Sequence, residues 1–157
     1  MDRSQFLQLV SDNQERLRRY LIALCCGDSQ LADDLAQETY IKAYLSLDSI
    51  REVGKFNSWI LRIAYNTFLS NRRSYRPTAD IDSACQVAAP APDDYQALYL
   101  ALDQISEKER SAILLYYIQG YQSKEIAEIM QSTDSAVKQL LSRGRTHLRN
   151  LLKLEQL

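Results

Sequence analysis

The chain has 157 residues, of which 46% are hydrophobic and 25% charged, as in an ordinary globular protein of one domain or two small ones. Its formal net charge of −1 gives no overall basic balance, but the charges are sorted, because residues 51–76 hold six Lys and Arg against Glu52 alone. Apolar runs stay below the ~20 residues of a membrane helix. Composition therefore argues against membrane insertion and leaves nucleic-acid binding open.

Three cysteines and a single histidine limit the chemistry that the chain can carry out. Cys25, Cys26 and Cys85 form an odd set without metal-ligand spacing, and His147 is the only histidine. A zinc site or a nucleophilic triad would need more partners of these types. We therefore expect a reduced, cytoplasmic protein that binds no metal or cofactor and is not an enzyme.

The first half of the chain shows three apolar stripes with helical spacing. Residues 48–55 interrupt the pattern with a glycine and opposite charges. The stripes predict helices from Phe6 to near Gly27, from Asp28 or Ser29 to about Leu47, and from Phe56 to Phe68. In the second of these, Tyr44 is among the residues available for packing.

A proline-rich acidic stretch divides the chain. All three prolines fall between residues 76 and 94, with four aspartates and no Lys or Arg after Arg76. This composition predicts an acidic linker. Beyond it a short helix is predicted from Tyr95 to Ile105, and Ser106 with Glu109 has capping-box spacing for the next helix, which Gly120 can end.

Residues 123–152 have the pattern of a helix-turn-helix. Ser123 can cap a short apolar helix, residues 131–133 make a turn, and Thr133 or Asp134 starts a longer helix. The apolar side of the longer helix is formed by Val137, Leu140, Leu141, Leu148, Leu151 and Leu152. Its other side is basic, with Lys138, Arg143, Arg145, Arg149 and Lys153. Such a helix can lie in a DNA major groove, although a solvated basic face on an ordinary helical bundle shows the same pattern.

These patterns predict an all-α fold class with two small helical domains. A three-helix bundle covers residues 1–76, and a helix-turn-helix domain covers residues 95–157. A flexible acidic linker over 77–94 joins them. No alternating strand pattern or internal repeat stands out in the sequence.

One side of the second predicted helix combines acids with an apolar centre. Asp34, Gln37, Glu38 and Ile41 are spaced by three or four residues, which places them on adjoining turns. Such a face suits a basic partner helix. Acids also favour the first half of a helix through the macrodipole, but that preference does not account for the apolar side chain.

Residues 51–76 combine aromatic rings, an amide and cations within a short span. These groups can hold single-stranded DNA, because stacking contributes ~1 to 3 kcal/mol per base and cations contact phosphates. Phe56 and Trp59 also fit the apolar stripe, so we expect them in the core. The residues that fit the stripe poorly are Arg62, Asn66, Arg72 and Arg73.

Three segments resemble conserved regions of bacterial sigma factors. DDLAQETYIKAYL, at residues 33–45, resembles the region-two signature, and GKFNSWILRIAYNTFLSNRRS, at residues 54–74, resembles the promoter-melting segment that follows it. By itself, ISEKERSAILLYYIQGYQSKEIAEIMQSTDSAVKQLLSRGRTHL, at residues 105–148, resembles LuxR-type regulators and sigma region four equally. With both regions, a short linker and no third region, the chain resembles an extracytoplasmic-function (ECF) sigma factor.

The resemblance implies a transcription initiation factor. Its partners would be core RNA polymerase, through the β′ clamp helices and the β flap, promoter DNA and an anti-sigma factor. The residues implied for core-polymerase binding are Asp34, Leu35, Gln37, Glu38 and Ile41. Those implied for minus-ten DNA are Lys55, Arg62, Tyr65, Asn66, Arg72 and Arg73. Those predicted for minus-thirty-five DNA are Ser135, Ala136, Lys138, Gln139, Arg143 and Arg145. Gln139 is the best base reader, since Gln can form two hydrogen bonds with adenine.

The chain departs from the common family pattern at two places. Gln131-Ser132 stand where a Gly and an apolar residue are frequent, and Gly144 stands where Ala is usual, at a cost of up to ~1 kcal/mol of helix propensity. The alternative function is a stand-alone LuxR-type DNA-binding regulator that binds its operator without polymerase. A receiver-type metal site at Asp33 and Asp34 is disfavoured, because no strand precedes them.

Overall fold

The computed structural model describes residues 1–75 and 93–153, and within these ranges the secondary structure is helical without strands. The helices are α1 (Arg3–Leu24), α2 (Ser29–Leu45), α3 (Phe56–Tyr75), α4 (Asp93–Gln104), α5 (Glu107–Tyr117), α6 (Ser123–Met130) and α7 (Asp134–Leu152). Two short 3-10 turns, Leu47–Ser49 and Val53–Lys55, connect α2 to α3. The all-α prediction is confirmed. Residues 77–92 of the predicted linker lie outside the described ranges.

Side-chain caps fix where the first two helices begin. Asp2 Oδ1 accepts a hydrogen bond from the Gln5 amide (2.8 Å) at α1, and Asp28 Oδ1 accepts one from the Leu31 amide (3.1 Å) at α2. Each bond satisfies a donor that helix geometry leaves unpaired. Of the two candidate caps for α2, Asp28 is therefore the one used.

The turn after α1 requires glycine. Cys26 and Gly27 both have positive φ, 54° and 95°. A Cβ on Gly27 would lie 2.8 Å from a ring carbon of Tyr99 on α4. The left-handed backbone and the close ring both exclude a side chain at this position.

Two apolar clusters hold α1, α2 and α3 together. The buried residues of the smaller cluster are Phe6, Ala43, Phe56 and Ile60. The expected core position of Phe56 is thus confirmed, while Trp59 packs at the edge of the cluster, with its ring 5.7 Å from that of Phe56.

Hydrogen bonds to side chains also fix where α5 and α6 begin. Ser106 Oγ accepts from the Glu109 amide (3.1 Å) and Glu109 Oε1 accepts from the Ser106 amide (3.3 Å), which confirms the predicted capping box. The prediction of Ser123 as the cap of α6 was wrong by one residue. The cap is Gln122, because its backbone amide donates to the carboxylate of Glu125 (3.0 Å).

The helix-turn-helix is formed by α6, the turn at residues 131–133 and α7. Gln131 has a left-handed conformation with φ of 55°, and Thr133 Oγ1 caps α7 by accepting from the Ala136 amide (3.1 Å). The prediction that Leu151 is buried was wrong, since it is 45% exposed. Near the end of α7 the side chains that face the core are Leu148 and Leu152, which are four residues apart, and Leu151 lies beside this face.

Gly144 allows α7 to approach α5 closely. A Cβ at this position would lie 2.9 Å from Cγ1 of Ile113. Overfilling a packed contact costs typically ~1 to 3 kcal/mol, which exceeds the ~1 kcal/mol of helix propensity that alanine would add. Glycine is therefore the packing residue at this crossing.

The two halves of the chain pack on each other. α1 contacts α4 and α5, and α3 contacts α6. Leu17 and Leu24 of α1 belong to the same buried cluster as Ala112 and Leu115 of α5. The predicted pair of tethered domains thus shares a continuous apolar core, which the sequence pattern did not indicate.

Candidate partner and nucleic-acid interface

The outward side of α2 is acidic and contains large apolar side chains. Asp34, Gln37 and Glu38 are exposed. Ile41 is 62% exposed, and Leu45, one turn further along, is 78% exposed. Exposed apolar side chains rimmed by polar groups are typical of a protein-binding site. We call these five residues the α2 surface; all of them except Leu45 were predicted from the sequence.

Two residues of α2 lie elsewhere than expected. Leu35, predicted at the partner-binding face, is 2% exposed and belongs to the core, so it can support the α2 surface only from below. Tyr44, expected to pack inside, is 46% exposed. The inward line of α2 is already occupied by Leu35, Thr39 and Ala43, which follow one another at four-residue spacing.

A groove of about 310 Å³ lies where the 3-10 turns meet α3. Trp59 forms part of its wall, and its indole Nε1 donates to Ser49 Oγ (3.1 Å), which fixes the ring against the loop. Glu128 and Ile129 of α6 line the same groove. Its cationic lining residues are Arg51, Lys55 and Arg62. An aromatic wall beside several cations suits an unpaired base and its phosphate.

The other minus-ten candidates lie along α3. Arg62 and Asn66 are exposed and four residues apart, so they share a face. Tyr65 is 2% exposed, and burial raises the pKa of its phenol to about 12. Its ring is therefore a core group in this arrangement. Arg72 is half-buried, and the side chain of Arg73 lies outside the described part of the chain.

Residues of the second half contact α3 at two of the minus-ten candidates. Asn66 Nδ2 donates to Gln131 Oε1 (3.3 Å) in the turn of the helix-turn-helix. The Arg72 guanidinium pairs with the carboxylate of Glu107 at the start of α5. The structure thus joins two minus-ten candidates to the second domain, a contact for which the sequence gives no local signal.

The predicted groove-reading residues lie at the start of α7. Ser135, Lys138, Gln139 and Arg143 are exposed, and Ala136 is half-buried. An exposed first turn and a half with an amide and cations is the arrangement that a major-groove helix requires. The structure therefore presents Ser135, Lys138 and Gln139 together at the start of α7, with Arg143 one turn further along.

A side-chain contact that the sequence pattern does not indicate links the two helices of the motif. Ser123 Oγ, at the start of α6, donates to Asp134 Oδ1, at the start of α7. This hydrogen bond, and then the nearby Lys138 at 3.2 Å, hold the pKa of Asp134 below its usual value. Ser123 therefore fixes the second helix rather than capping its own.

Arg145 is held by aromatic residues of α5. Its guanidinium carbon lies 5.4 Å from the ring centre of Tyr116 and 5.6 Å from that of Tyr117, and its Nε donates to Tyr117 Oη (2.7 Å). The cation predicted to reach phosphate is thus positioned in advance. The paired tyrosines are the sequence signal that could have indicated this.

Two kinds of site are absent from the described residues. No described helix is long and apolar enough to cross a bilayer. Within residues 1–75 and 93–153, no group of three or more His, Cys, Asp or Glu side chains is arranged to hold a metal ion.

Comparison with known proteins places both halves of the chain in one family. The family model for sigma-70 region 2 matches residues 9–78, and the model for sigma-70 region 4 matches residues 95–148. The ECF RNA polymerase sigma factor EcfG of Rhodopseudomonas palustris is 28% identical over 146 residues, which cover 88% of this chain and 80% of that protein. The ECF RNA polymerase sigma factor SigM of Bacillus subtilis is 28% identical over 142 residues, which cover 85% of this chain and 86% of that protein.

A solved structure extends the similarity to the arrangement of the helices. It shows the sigma factor RpoE in complex with the anti-sigma factor NepR from Bartonella quintana, with 28% identity and a TM-score of 0.84 over 96% of this chain and 98% of that chain. The resemblance read from the sequence motifs is confirmed, and the stand-alone LuxR-type alternative is not supported. The chain belongs to the ECF sigma factors of bacterial RNA polymerase.

Proposed function

We propose that this sigma factor works through three surfaces of its own. The α2 surface attaches it to core polymerase, and the other two contact promoter DNA. The observation behind this assignment is that Ile41 and Leu45 remain exposed beside Asp34 and Glu38. A regulator acting alone does not need such a surface outside its helix-turn-helix, whereas a subunit of a larger enzyme does.

Docking on core polymerase is assigned to Asp34, Gln37, Glu38 and Ile41, against the β′ clamp helices. An apolar centre supplies the buried contact, and the surrounding carboxylates select a basic partner and reject an acidic one. Leu35 lies beneath this surface and keeps its shape. The second domain contacts the β flap.

Capture of melted minus-ten DNA is assigned to the groove beside Trp59 and to the exposed face of α3. Lys55 and Arg62 border the groove, and Asn66 offers an amide to a base edge. Arg72 and Arg73 follow toward the end of α3 and supply cations to the backbone, while Tyr65 supports the face from the core. Holding unpaired bases repays part of the cost of opening the duplex.

Recognition of minus-thirty-five duplex DNA is assigned to the start of α7. Gln139 reads a base edge, with Ser135, Ala136 and Lys138 around it. Arg143 and Arg145 contact phosphates, which position the helix without reading sequence. The protein has no catalytic role of its own and acts in the cytoplasm. It is held inactive by an anti-sigma factor, a role that the complex of RpoE with the anti-sigma factor NepR supports.

Run-off transcription with core polymerase over a promoter library, followed by sequencing of the start sites, tests this function. We expect a small set of promoters that share elements near minus ten and minus thirty-five. Variants Gln139→Ala and Asn66→Ala should alter selection at one element each. Asn150→Ala, on the exposed side of α7, serves as the matched control and should leave the selected set unchanged.

A protein that yields no transcript with any active core polymerase would contradict the proposal. A Gln139→Ala variant that selects the same minus-thirty-five element as the wild type would remove the reading role of that residue and leave the function standing.

A further inference from the structure

The end of α5 carries an aromatic pair that holds a cation of α7. The rings of Tyr116 and Tyr117 meet edge to face, with their centres 4.9 Å apart. The guanidinium carbon of Arg145 lies 5.4 Å from the first ring centre and 5.6 Å from the second, within the range of a cation–π contact. Its Nε also donates to Tyr117 Oη at 2.7 Å. The guanidinium is therefore fixed both by the rings and by the hydroxyl.

The hydrogen bond between Arg145 and Tyr117 leaves donors unused on both side chains. A tyrosine hydroxyl that accepts a bond still has its own O–H to donate, and a guanidinium that donates through Nε keeps both Nη groups. Within residues 1–75 and 93–153, neither the Tyr117 O–H nor an Arg145 Nη group has a hydrogen-bond acceptor or a carboxylate partner. A set of neighbouring donors that includes a cation suits an anion.

A purely structural tie between α5 and α7 does not account for this arrangement. The two helices already pack through buried apolar side chains, and Gly144 brings α7 close to Ile113. Tyr117 is 50% exposed, so its hydroxyl competes with water and adds little to the stability of the packing. The negative end of α5 attracts a cation, but that attraction does not require a hydroxyl beside it. The exposed donors therefore point to a ligand.

Arg145 lies on a basic edge of α7. Lys138, Arg145 and Arg149 are spaced by seven and four residues, which places them along one side of the helix. Tyr117, the last residue of α5, contacts this side. In a helix-turn-helix, phosphate contacts flank the reading helix, and other elements of the domain contribute to them. The end of α5 is therefore placed to make such a flanking contact.

We propose that Tyr117 and Arg145 form one phosphate-binding site for the minus-thirty-five duplex. Tyr117 Oη donates to an oxygen of a backbone phosphate while it accepts from Arg145 Nε, and the Arg145 Nη groups donate to the same phosphate. Tyr116 supports the guanidinium with its ring and does not contact DNA. The site rests on the proposed minus-thirty-five role of α7, and it adds α5 to the elements that contact the duplex.

The two members of the site contribute in different ways. Arg145 brings the charge, so Arg145→Ala should lower the slope of log affinity against log salt concentration by about one. Tyr117 is neutral, so Tyr117→Phe should weaken binding and leave this slope almost unchanged. The hydroxyl also holds a long side chain in place, which reduces the ordering that binding requires.

Methylphosphonate scanning of a promoter duplex, with the protein bound to core polymerase, tests the site. Each probe replaces one charged phosphate oxygen, in the minus-thirty-five element found by run-off transcription, with an uncharged methyl group. Competition against the unmodified duplex gives the affinity for each probe. Tyr117→Phe should bind the unmodified duplex about tenfold more weakly than the wild type. At one phosphate to which the wild type is sensitive, the loss should be about tenfold smaller in Tyr117→Phe, because that contact is already gone.

Tyr116→Phe is the matched control. It removes a hydroxyl from the neighbouring ring and keeps the cation–π contact with Arg145, so it should bind and scan like the wild type. Wild-type affinity of Tyr117→Phe for the unmodified duplex would overturn the site. An equal weakening of Tyr117→Phe on every probe would also overturn it, since that pattern indicates a structural defect. A wild type insensitive to every phosphate of the element would instead contradict the proposed role of α7, and this site with it.

Discussion

The α2 surface and the exposed face of α3 belong to the same three-helix unit, but only α3 has side chains bonded to the second domain. On α2, Ile41 and Leu45 are 62% and 78% exposed. On α3, Asn66 and Arg72 are paired with residues of the second domain. A partner can therefore reach the α2 surface directly, whereas DNA that follows α3 would meet side chains already paired with the second domain.

The largest expected effect concerns the contacts between the two halves of the chain. Arg110 of α5 is 2% exposed, and its guanidinium donates to the carbonyls of Leu24 on α1 (2.7 Å) and Leu102 on α4 (2.9 Å). Arg110→Ala should lower the free energy of unfolding by about 3 kcal/mol, because it leaves these buried carbonyls without their partner. Urea unfolding followed by circular dichroism measures it. Lys108→Ala, an exposed residue of the same helix, should change the free energy by less than about 0.5 kcal/mol. Equal effects of the two substitutions would contradict a structural role for the Arg110 bonds.

The next effect concerns the α2 surface. Ile41→Asp should weaken binding to core polymerase about 30-fold or more, since it puts a charge into the apolar centre of the α2 surface. Fluorescence anisotropy of the labelled protein titrated with core polymerase measures this affinity. Leu7→Asp, at a leucine of α1 that is 56% exposed, is the matched control and should bind like the wild type. An equal loss in both variants would show that the α2 surface is not the docking site.

A smaller effect separates the two uses of the α3 face. Asn66→Ala should leave polymerase binding intact and reduce open-complex formation about tenfold, in line with the loss of one base contact. Gln131→Gly removes the interdomain partner of Asn66 and retains the left-handed backbone, so it should not reduce open-complex formation. Permanganate footprinting of the melted region distinguishes these outcomes. Equal losses in both variants would assign Asn66 to domain packing instead of DNA.

The smallest effect is a dependence on alkaline pH. The pKa of Tyr65 is raised from 10.0 to about 12 by burial, so the folded state holds its proton more tightly than the unfolded state does. The resulting stability is fully present below pH 10 and is lost as the pH rises toward 12. Between pH 9 and about 11, the wild type should lose ~1 kcal/mol more unfolding free energy than Tyr65→Phe. Parallel pH profiles of the two proteins would show that burial does not perturb this phenol.

Local features of the fold could be predicted from the sequence because their causes lie within a few residues. Asp28 and Thr133 cap helices through bonds to amides three residues away, and the Ser106–Glu109 box closes over the same distance. Predictions of burial were wrong where an apolar stripe allows either of two neighbouring residues to face the core. Tyr44 and Leu151 lie at the edge of their stripes, and only the packed neighbours decide which residue turns inward.

Contacts between distant segments left no such signal. Arg110 reads as one more charge on a helix, and its role depends on the end of α1, 86 residues away. Gly144 reads as a weak helix former until Ile113 is placed 2.9 Å from its missing Cβ. The candidate site residues could be identified on their own helices. Their pairing with the second domain could not, because it depends on how the two domains pack.

The measurement that tests the central claim most directly is a gel shift on a promoter fragment with and without core polymerase. A sigma factor whose DNA surfaces act together only on the polymerase should give no specific shift alone and a specific, heparin-resistant complex when core enzyme is added. Tight and specific binding of the fragment by the isolated protein, unaffected by core polymerase, would contradict this account.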